Sequence, residues 1–137
     1  MRLPRQQARR GIAALELALL APFLVFLFVV SIDYGRIFFA SVTITNCARA
    51  GAIYASDPFA QRESPYTTIE QAALAEAPSY TPAPTVTSSS GTDANGNPYT
   101  AVTVTGQFTT ITRYPGVPAT TTLARTVRVR KTPDAPD

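Results

Sequence analysis

The sequence contains no histidine and no tryptophan, and its single cysteine is Cys47. Histidine is the most common general base and the most common protein metal ligand. One cysteine cannot form a disulfide within the chain, and zinc sites of the usual type need several Cys or His ligands. The sequence also lacks a glycine-rich phosphate loop and a G-x-S-x-G motif. We therefore expect no enzyme, with no catalytic residue, no metal site and no cofactor.

Charged residues are also scarce, at 15% of the chain, and they are unevenly placed. The net charge of +3 comes from Arg2, Arg5, Arg9 and Arg10, because the first ten residues hold no acid and the remainder is nearly neutral. A short basic head beside an apolar run is typical of a membrane-orientation signal. The positive charge therefore does not indicate a nucleic-acid partner.

Residues 12–32 form a long apolar run whose one ionisable side chain is Glu16. A bilayer core about 30 Å thick is crossed by roughly 20 apolar helical residues. The run is longer than the apolar region of an ordinary secretory signal, and no small-x-small cleavage site follows it. It predicts a transmembrane helix that tolerates Pro22, with the N-terminus in the cytoplasm. The alternative interpretation is a signal anchor with no further function.

Glu16 has two interpretations. A charge inside a membrane costs free energy, but the cost falls near the interface, so Glu16 could be a tolerated interfacial carboxylate. Alternatively, Glu16 pairs with a positively charged group that is absent from the uncut chain. If the chain were cut after Gly11, the new α-ammonium of Ile12 would lie about one helical turn from Glu16. Pairing between subunits would then fix the axial register of neighbouring helices.

Residues 33–55 contain no proline, and their apolar and small side chains recur at helical spacing to form a stripe. This pattern predicts that the helix continues to about Ala55. Small residues in the stripe allow close approach, either by another helix or by a sheet of the same chain. Cys47 lies beside the stripe, which favours a packed thiol over a reactive one. The stripe comprises Ile37, Ser41, Ile44, Ala48, Gly51, Ala52 and Ala55.

Asp57-Pro58 predicts the end of this helix. The rest of the chain predicts one short helix and about three antiparallel strands, with Thr67 as the helix N-cap and a bulge at Gly106. In the last strand we expect Leu123, Val127 and Val129 on the inner face and Arg128 and Arg130 on the outer face. The predicted segments are a loop (56–66), the helix (67–77), a strand (85–87), a polar turn (88–98), a strand (99–112), a turn (114–118), a strand (123–130) and a polar tail (131–137).

Together these elements predict an α+β, pilin-like fold: a long N-terminal transmembrane helix that continues into a small antiparallel β-sheet domain. The sheet alone has a thin core, because small domains bury proportionately little surface, so we expect it to pack on the helix. The predicted divisions are a basic leader (1–11), the long helix (12–55, with 12–32 in the membrane) and an extracytoplasmic α+β domain (56–137).

Four sequence boxes resemble those of one family. They are RGIAALELA (10–18), Pro22, DYGR (33–36) and CARAGA (47–52). Their order and spacing resemble the TadE-like family, the minor pseudopilins of tight-adherence (Tad, or Flp-type) pili, over residues 9–55. The family pattern ends in an arginine where this chain has Ile53.

The resemblance implies a role for several residues. Gly11 and Ile12 would flank the bond cut by a prepilin peptidase, and Glu16 would serve processing or assembly. The family boxes would be carried by Pro22, Asp33, Gly35, Arg36, Arg49 and Gly51. The implied function is that of a minor subunit in the assembly of a Tad (type IVb/Flp-like) pilus for surface adherence.

The implied location is the bacterial inner membrane, crossed once, with the C-terminal domain in the periplasm or incorporated in the pilus. The implied partners are other pilins or pseudopilins, the prepilin peptidase and the pilus assembly platform. Two alternatives stay open. One is an uncleaved bitopic protein whose outer domain is an envelope interaction module, and the other is an adhesin that presents its threonine-rich sheet.

Overall fold

A computed structural model of the protein describes residues 5–112 and 118–132. It contains three helices and one antiparallel sheet with strand order β1-β2-β3, which confirms the α+β prediction. The contacts divide the chain into two units, Met1–Arg36 and Ile37–Asp137. The elements are α1 (Arg5–Ser56), α2 (Pro58–Glu63), α3 (Ile69–Leu74), β1 (Thr85–Thr92), β2 (Pro98–Thr109) and β3 (Thr120–Arg130).

The first unit consists of α1 up to Arg36, and its apolar side chains are uncovered. Leu19, for example, is 72% exposed, and Pro22 lies within the helix without ending it. Among the described residues, one helix is long and apolar enough to cross a membrane, over Gly11–Ser56. A continuous exposed apolar surface of this kind marks a lipid or protein contact.

In the second unit, the predicted stripe of α1 forms the core with the sheet. Ile44 and Ala48 of α1 are fully buried with Val102 and Val104 of β2. A Cβ at Gly51 would lie 3.0 Å from the Ala73 Cβ and 3.2 Å from the Val102 Cγ1. The small residues on this face therefore pack against the chain's own α3 and sheet, as one of the two sequence interpretations expected.

The segment after α1 contains more helix than the sequence predicted. Asp57 accepts a 2.8 Å hydrogen bond from the Phe59 amide and caps α2, with Pro58 in the first turn, so a loop over the whole of 56–66 was wrong. Proline suits this position because the first helical amides have no partner in the helix. The N-cap of α3 is Thr68, whose hydroxyl accepts from the Gln71 amide at 3.1 Å, rather than Thr67.

The polar turn between β1 and β2 is shorter than predicted, because β1 extends to Thr92. The Asp93 carboxylate accepts the backbone N–H groups of Asn95 and Asn97 at 2.9 and 2.8 Å, and Gly96 has a φ of 81°. Hydrogen bonds from the Asn97 backbone and side chain hold the pKa of Asp93 below its usual value. Side-chain bonds to the backbone thus close the turn within 93–97.

The predicted bulge at Gly106 is absent, since the pairing of β2 with β3 runs through Gly106 and Leu123 without interruption. A Cβ at Gly106 would lie only 2.6 Å from the Ile44 Cδ1 and 2.9 Å from the Tyr80 hydroxyl oxygen. Glycine is present because two side chains approach the strand closely. The turn predicted over 114–118 and the tail over 131–137 lie largely outside the described residues.

The two faces of β3 are as predicted. Val127 pairs with the buried Val102, whereas Arg128 pairs with Ala101 and Arg130 with Tyr99, on the opposite face. This orientation gives the sheet one face towards α1 and one face away from it.

Candidate processing and assembly site

Gly11, Ile12 and Glu16 all lie on α1 and are exposed, Ile12 to 59%. A Cβ added at Gly11 would meet no atom within 4 Å, so the glycine is not explained by packing. Residues four apart in a helix are neighbours on one face. The helix therefore presents the Glu16 carboxylate on the same side as Ile12.

Asp33 and Arg36 form an ion pair where the apolar run ends. The Arg36 Nη1 donates to the Asp33 Oδ1 at 2.9 Å, with the Asp33 side chain 11% exposed and that of Arg36 43% exposed. Pairs three residues apart meet on a helix surface. Gly35 between them has open space at its Cβ position.

Arg49 and Gly51, two residues apart on α1, face opposite environments. Gly51 is buried against Ala73 and Val102, whereas Arg49 is exposed. Gly51 thus serves the packing of the second unit, and the Arg49 guanidinium is open to solvent or to another molecule.

Comparison with known families identifies the segment that carries these residues. Residues 11–52 match the model of the TadE-like protein family. This segment is similar to the TadE-like family. The match covers less than half of the 137 residues, and it confirms the resemblance given by the sequence boxes. No curated protein and no solved structure matched the chain.

The TadE-like segment suggests a protein associated with a Tad pilus, a structural rather than an enzymatic kind of protein. Its apolar helix suggests one membrane crossing and association with pilus proteins. The roles of Gly11, Ile12, Glu16 and the residues of the family boxes stay predictions, as do the divisions of the chain at residues 11 and 55.

Cys47, also within the TadE-like segment, is a core residue. Its side chain is fully buried beside Ile44 and Ala48, as expected for a packed thiol. Burial raises the pKa of the Cys47 thiol, and the nearby Glu76 carboxylate raises it further. The thiol is therefore neutral near pH 7 and a weak nucleophile.

An open cavity of about 380 Å³ lies in the second unit beside Phe39, Tyr80 and Phe108. Its described wall carries one carboxylate, Glu76, and the Tyr80 phenol, whose pKa is raised by burial. A cavity with a single carboxylate offers no pair of acids for general acid–base chemistry. The described part of the chain also has no group of three or more Cys, Asp or Glu side chains placed to hold a metal ion.

Sequence reasoning missed two interactions of the arginines in β3. Arg125 faces α1, and its Nη2 donates to the Ser41 Oγ at 3.1 Å. On the other face, the Arg128 guanidinium lies 4.1 Å from the centroid of the Tyr99 ring. The alternation of Leu123, Val127 and Val129 already placed residue 125 on the inner face, so the first orientation had a readable signal. The second depends on strand register, which a single sequence does not fix.

Proposed function

We propose that the protein is a minor pilin subunit, or pseudopilin, cut after Gly11 by a prepilin peptidase for the assembly of a Tad pilus. The observation that carries the proposal is the TadE-like match, which begins at Gly11 and follows an exposed apolar helix. The sheet in the second unit favours a minor role over that of the shaft subunit, which in such systems resembles a much shorter, almost wholly helical chain.

Cleavage would change the charge balance at the start of the apolar run. It removes the arginines that precede Gly11 and leaves an α-ammonium on Ile12, one turn from Glu16. Opposite charges at this spacing attract strongly where water is scarce. Before cleavage the carboxylate has no such partner, so processing would switch Glu16 from an unfavourable to a favourable group inside an assembly.

The exposed side chains of the apolar run support a membrane location before assembly. Lipid covers the run in the inner membrane, and the helices of other pilins or pseudopilins would cover it in the pilus. The basic head keeps the N-terminus in the cytoplasm, which places the second unit in the periplasm. The peptidase and the assembly platform would then meet the chain at the membrane.

The mass of the intact chain isolated from membranes tests the cleavage step. We expect a chain that begins at Ile12 in cells with the peptidase and the full chain in cells without it. Gly11→Leu should block cleavage because the peptidase must accommodate the residue before the cut bond. Gly35→Leu is the matched control, since neither glycine has an atom within 4 Å of its Cβ position.

A retained head on the chain within the assembled pilus or its platform would contradict the proposal. That result would favour the uncleaved bitopic protein, whose outer unit binds an envelope partner. Purified pili that carry this chain over their whole length would contradict the minor role alone.

A further inference from the structure

The turn between β1 and β2 contains the pair Asn95-Gly96, which has a specific chemical reactivity. The backbone nitrogen of the residue after an asparagine can attack the asparagine Cγ and form a cyclic succinimide. Glycine favours this attack, because it has no Cβ to hinder the approach and its backbone is the least restricted. Asn95 and Gly96 are both exposed, so water has access to the ring that would form.

The reaction consumes only water and requires no oxidant or metal. The Gly96 nitrogen forms a bond to the Asn95 Cγ, and its proton passes through water to the side-chain nitrogen, which leaves as ammonia. Water then opens the ring at either carbonyl. One opening gives aspartate at position 95. The other gives isoaspartate, in which the main chain runs through the former side-chain carbonyl. Both products carry a carboxylate where asparagine is neutral.

The other two of the three asparagines in the chain are unsuited to this reaction. Asn97 precedes Pro98, whose nitrogen carries no hydrogen and cannot form a neutral ring. Asn46 lies within α1, where the hydrogen bonding of the helix holds the next backbone nitrogen. The sequence and the secondary structure therefore leave Asn95 as the reactive asparagine.

The conformation of the turn opposes ring closure. The Gly96 N–H donates to the Asp93 carbonyl oxygen at 3.0 Å, which defines a β-turn over 93–96. Ala94 and Asn95 have negative φ, so this turn is of type I. A type I turn holds its third residue, here Asn95, at a ψ of about 0°. This angle directs the Gly96 nitrogen away from the Asn95 side chain that it would have to attack.

The Asp93 carboxylate stabilises the turn. Its Oδ1 accepts the backbone N–H groups of Asn95 and Asn97 at 2.9 and 2.8 Å, and its Oδ2 accepts the Asn97 Nδ2 at 3.2 Å. Hydrogen bonds to a charged acceptor are stronger than those between neutral groups. Within the described residues, the Asn95 side chain itself has no hydrogen bond. The attacking nitrogen is therefore held in place, whereas the amide under attack is free.

We infer that Asn95 is a deamidation site and that the Asp93 carboxylate keeps it unmodified by holding the turn closed. Local opening of the turn, or loss of the carboxylate, allows the Gly96 nitrogen to reach the Asn95 Cγ. The rate in the folded chain is then the rate in an unfolded chain multiplied by the fraction of molecules in which the turn is open. The inference goes beyond the proposed function, because it depends on neither cleavage nor assembly.

Isoaspartate at position 95 would disturb the hairpin of β1 and β2. The strands pair from Thr92 and Pro98 onwards, so only residues 93–97 connect them. Isoaspartate lengthens the main chain of this connection, and the length of a hairpin loop fixes the register of its strands. Deamidation would thus add charge and loosen the end of the hairpin together.

Incubation of the full chain in detergent, followed by peptide mapping, tests the inference. Mass spectrometry measures the conversion of amide to acid at each asparagine, and chromatography separates aspartate from isoaspartate. In guanidinium chloride at the same pH, we expect modification at Asn95 and much less at Asn46 and Asn97. In the folded chain, we expect the rate at Asn95 to be at least about tenfold lower, because hydrogen bonds of the turn must first break.

Asp93→Ala and Asp57→Ala form a matched pair of variants. Each carboxylate accepts the backbone N–H two residues further along, which for Asp57 is that of Phe59 at 2.8 Å. Asp93→Ala should raise the rate at Asn95 towards that of the unfolded chain, whereas Asp57→Ala should leave it unchanged. Asp93→Ser retains one acceptor and should give an intermediate rate. Circular dichroism checks the sheet of each variant, and Asp93→Ser decides the outcome if Asp93→Ala does not fold.

Three results would overturn the inference. Equal rates at Asn95 in the folded and unfolded chain would show that the turn gives no protection. A slow rate in folded Asp93→Ala, or in Asp93→Ser where only that variant folds, would show that the carboxylate is not the cause. Equally slow modification of all three asparagines in the unfolded chain would show that Asn95 is not a reactive site.

Discussion

At the scale of single residues, surroundings decide what a carboxylate or thiol does. Glu16 is exposed on an apolar helix, Asp93 is held by the amides of its own turn, and Cys47 is enclosed in a core. The last two are explained by contacts within the chain. Glu16 is the member of the three whose charge we propose to be balanced by the α-ammonium that cleavage would create.

Replacement of Glu16 tests that explanation. Glu16→Gln and Glu16→Ala should both leave membrane insertion intact, because each makes the run more apolar. Both should abolish incorporation into the pilus or its platform, since neither side chain can pair with an ammonium. Membrane fractionation and immunodetection of the chain in sheared pili measure the two steps.

Glu16→Asp is the control that keeps the charge. It should retain part of the incorporation, because its shorter side chain still presents a carboxylate. Normal incorporation of Glu16→Gln would show that the charge has no role in assembly. Measuring the intact mass of each variant separates an effect on cleavage from an effect on incorporation.

At the scale of elements, prediction succeeded where one periodicity dominated. The stripe that includes Ile44 and Ala48 fixed the buried face of α1, and alternation fixed the faces of β3. Prediction failed at Gly106 and at Pro58, because each of these residue types is compatible with two local structures. A glycine in a strand signals either a bulge or a close approach, and a proline after a helix can also begin the next one.

The glycines of α1 give a prediction at this scale. Gly51→Leu should destabilise the second unit by about 2 kcal/mol, because the added side chain enters a filled space between α3 and β2. Gly35→Leu should cause no comparable loss, since the same addition at Gly35 meets open space. Thermal unfolding of the full chain in detergent, followed by circular dichroism of the sheet, measures both.

A loss for Gly35→Leu as large as that for Gly51→Leu would show that packing against Ala73 and Val102 is not the cause. The comparison also bears on the family boxes. Gly51 would then be present for assembly rather than for the core of the second unit.

At the scale of the whole molecule, the fold class was predictable and the partners were not. A long apolar run, a basic head and a threonine-rich sheet leave few architectures. The sequence gives no register for the sheet, so it could not show that Arg128 stacks on Tyr99. The candidate site near Gly11 came from motif spacing, whereas the contact of Arg128 with Tyr99 emerged only from strand pairing.

The core of the second unit predicts how the chain can be divided. Its fully buried side chains include Ile44, Cys47 and Ala48 from α1. A fragment of residues 37–137 should therefore fold and unfold cooperatively, whereas one of residues 57–137 should stay unfolded, because a sheet without its cover exposes its apolar face. Circular dichroism and heat-induced unfolding of both fragments measure the difference.

A folded 57–137 fragment would contradict this assignment of the core. An unfolded 37–137 fragment would also contradict it. Adding a peptide of residues 37–56 to the shorter fragment is the control, since it should restore folding in trans.

The orientation of Arg125 has a consequence for the packing of several copies of the chain. It lies on the outermost strand, β3, and points to the side of α1 rather than to the open side. A second strand that extended the sheet at this edge would have to cover the charged guanidinium of Arg125, and inward-pointing charges are one way in which natural sheets avoid amyloid-like fusion. Protomers could thus reach a high local concentration without edge-to-edge strand pairing. Their association would then depend on other surfaces, whose contacts are reversible.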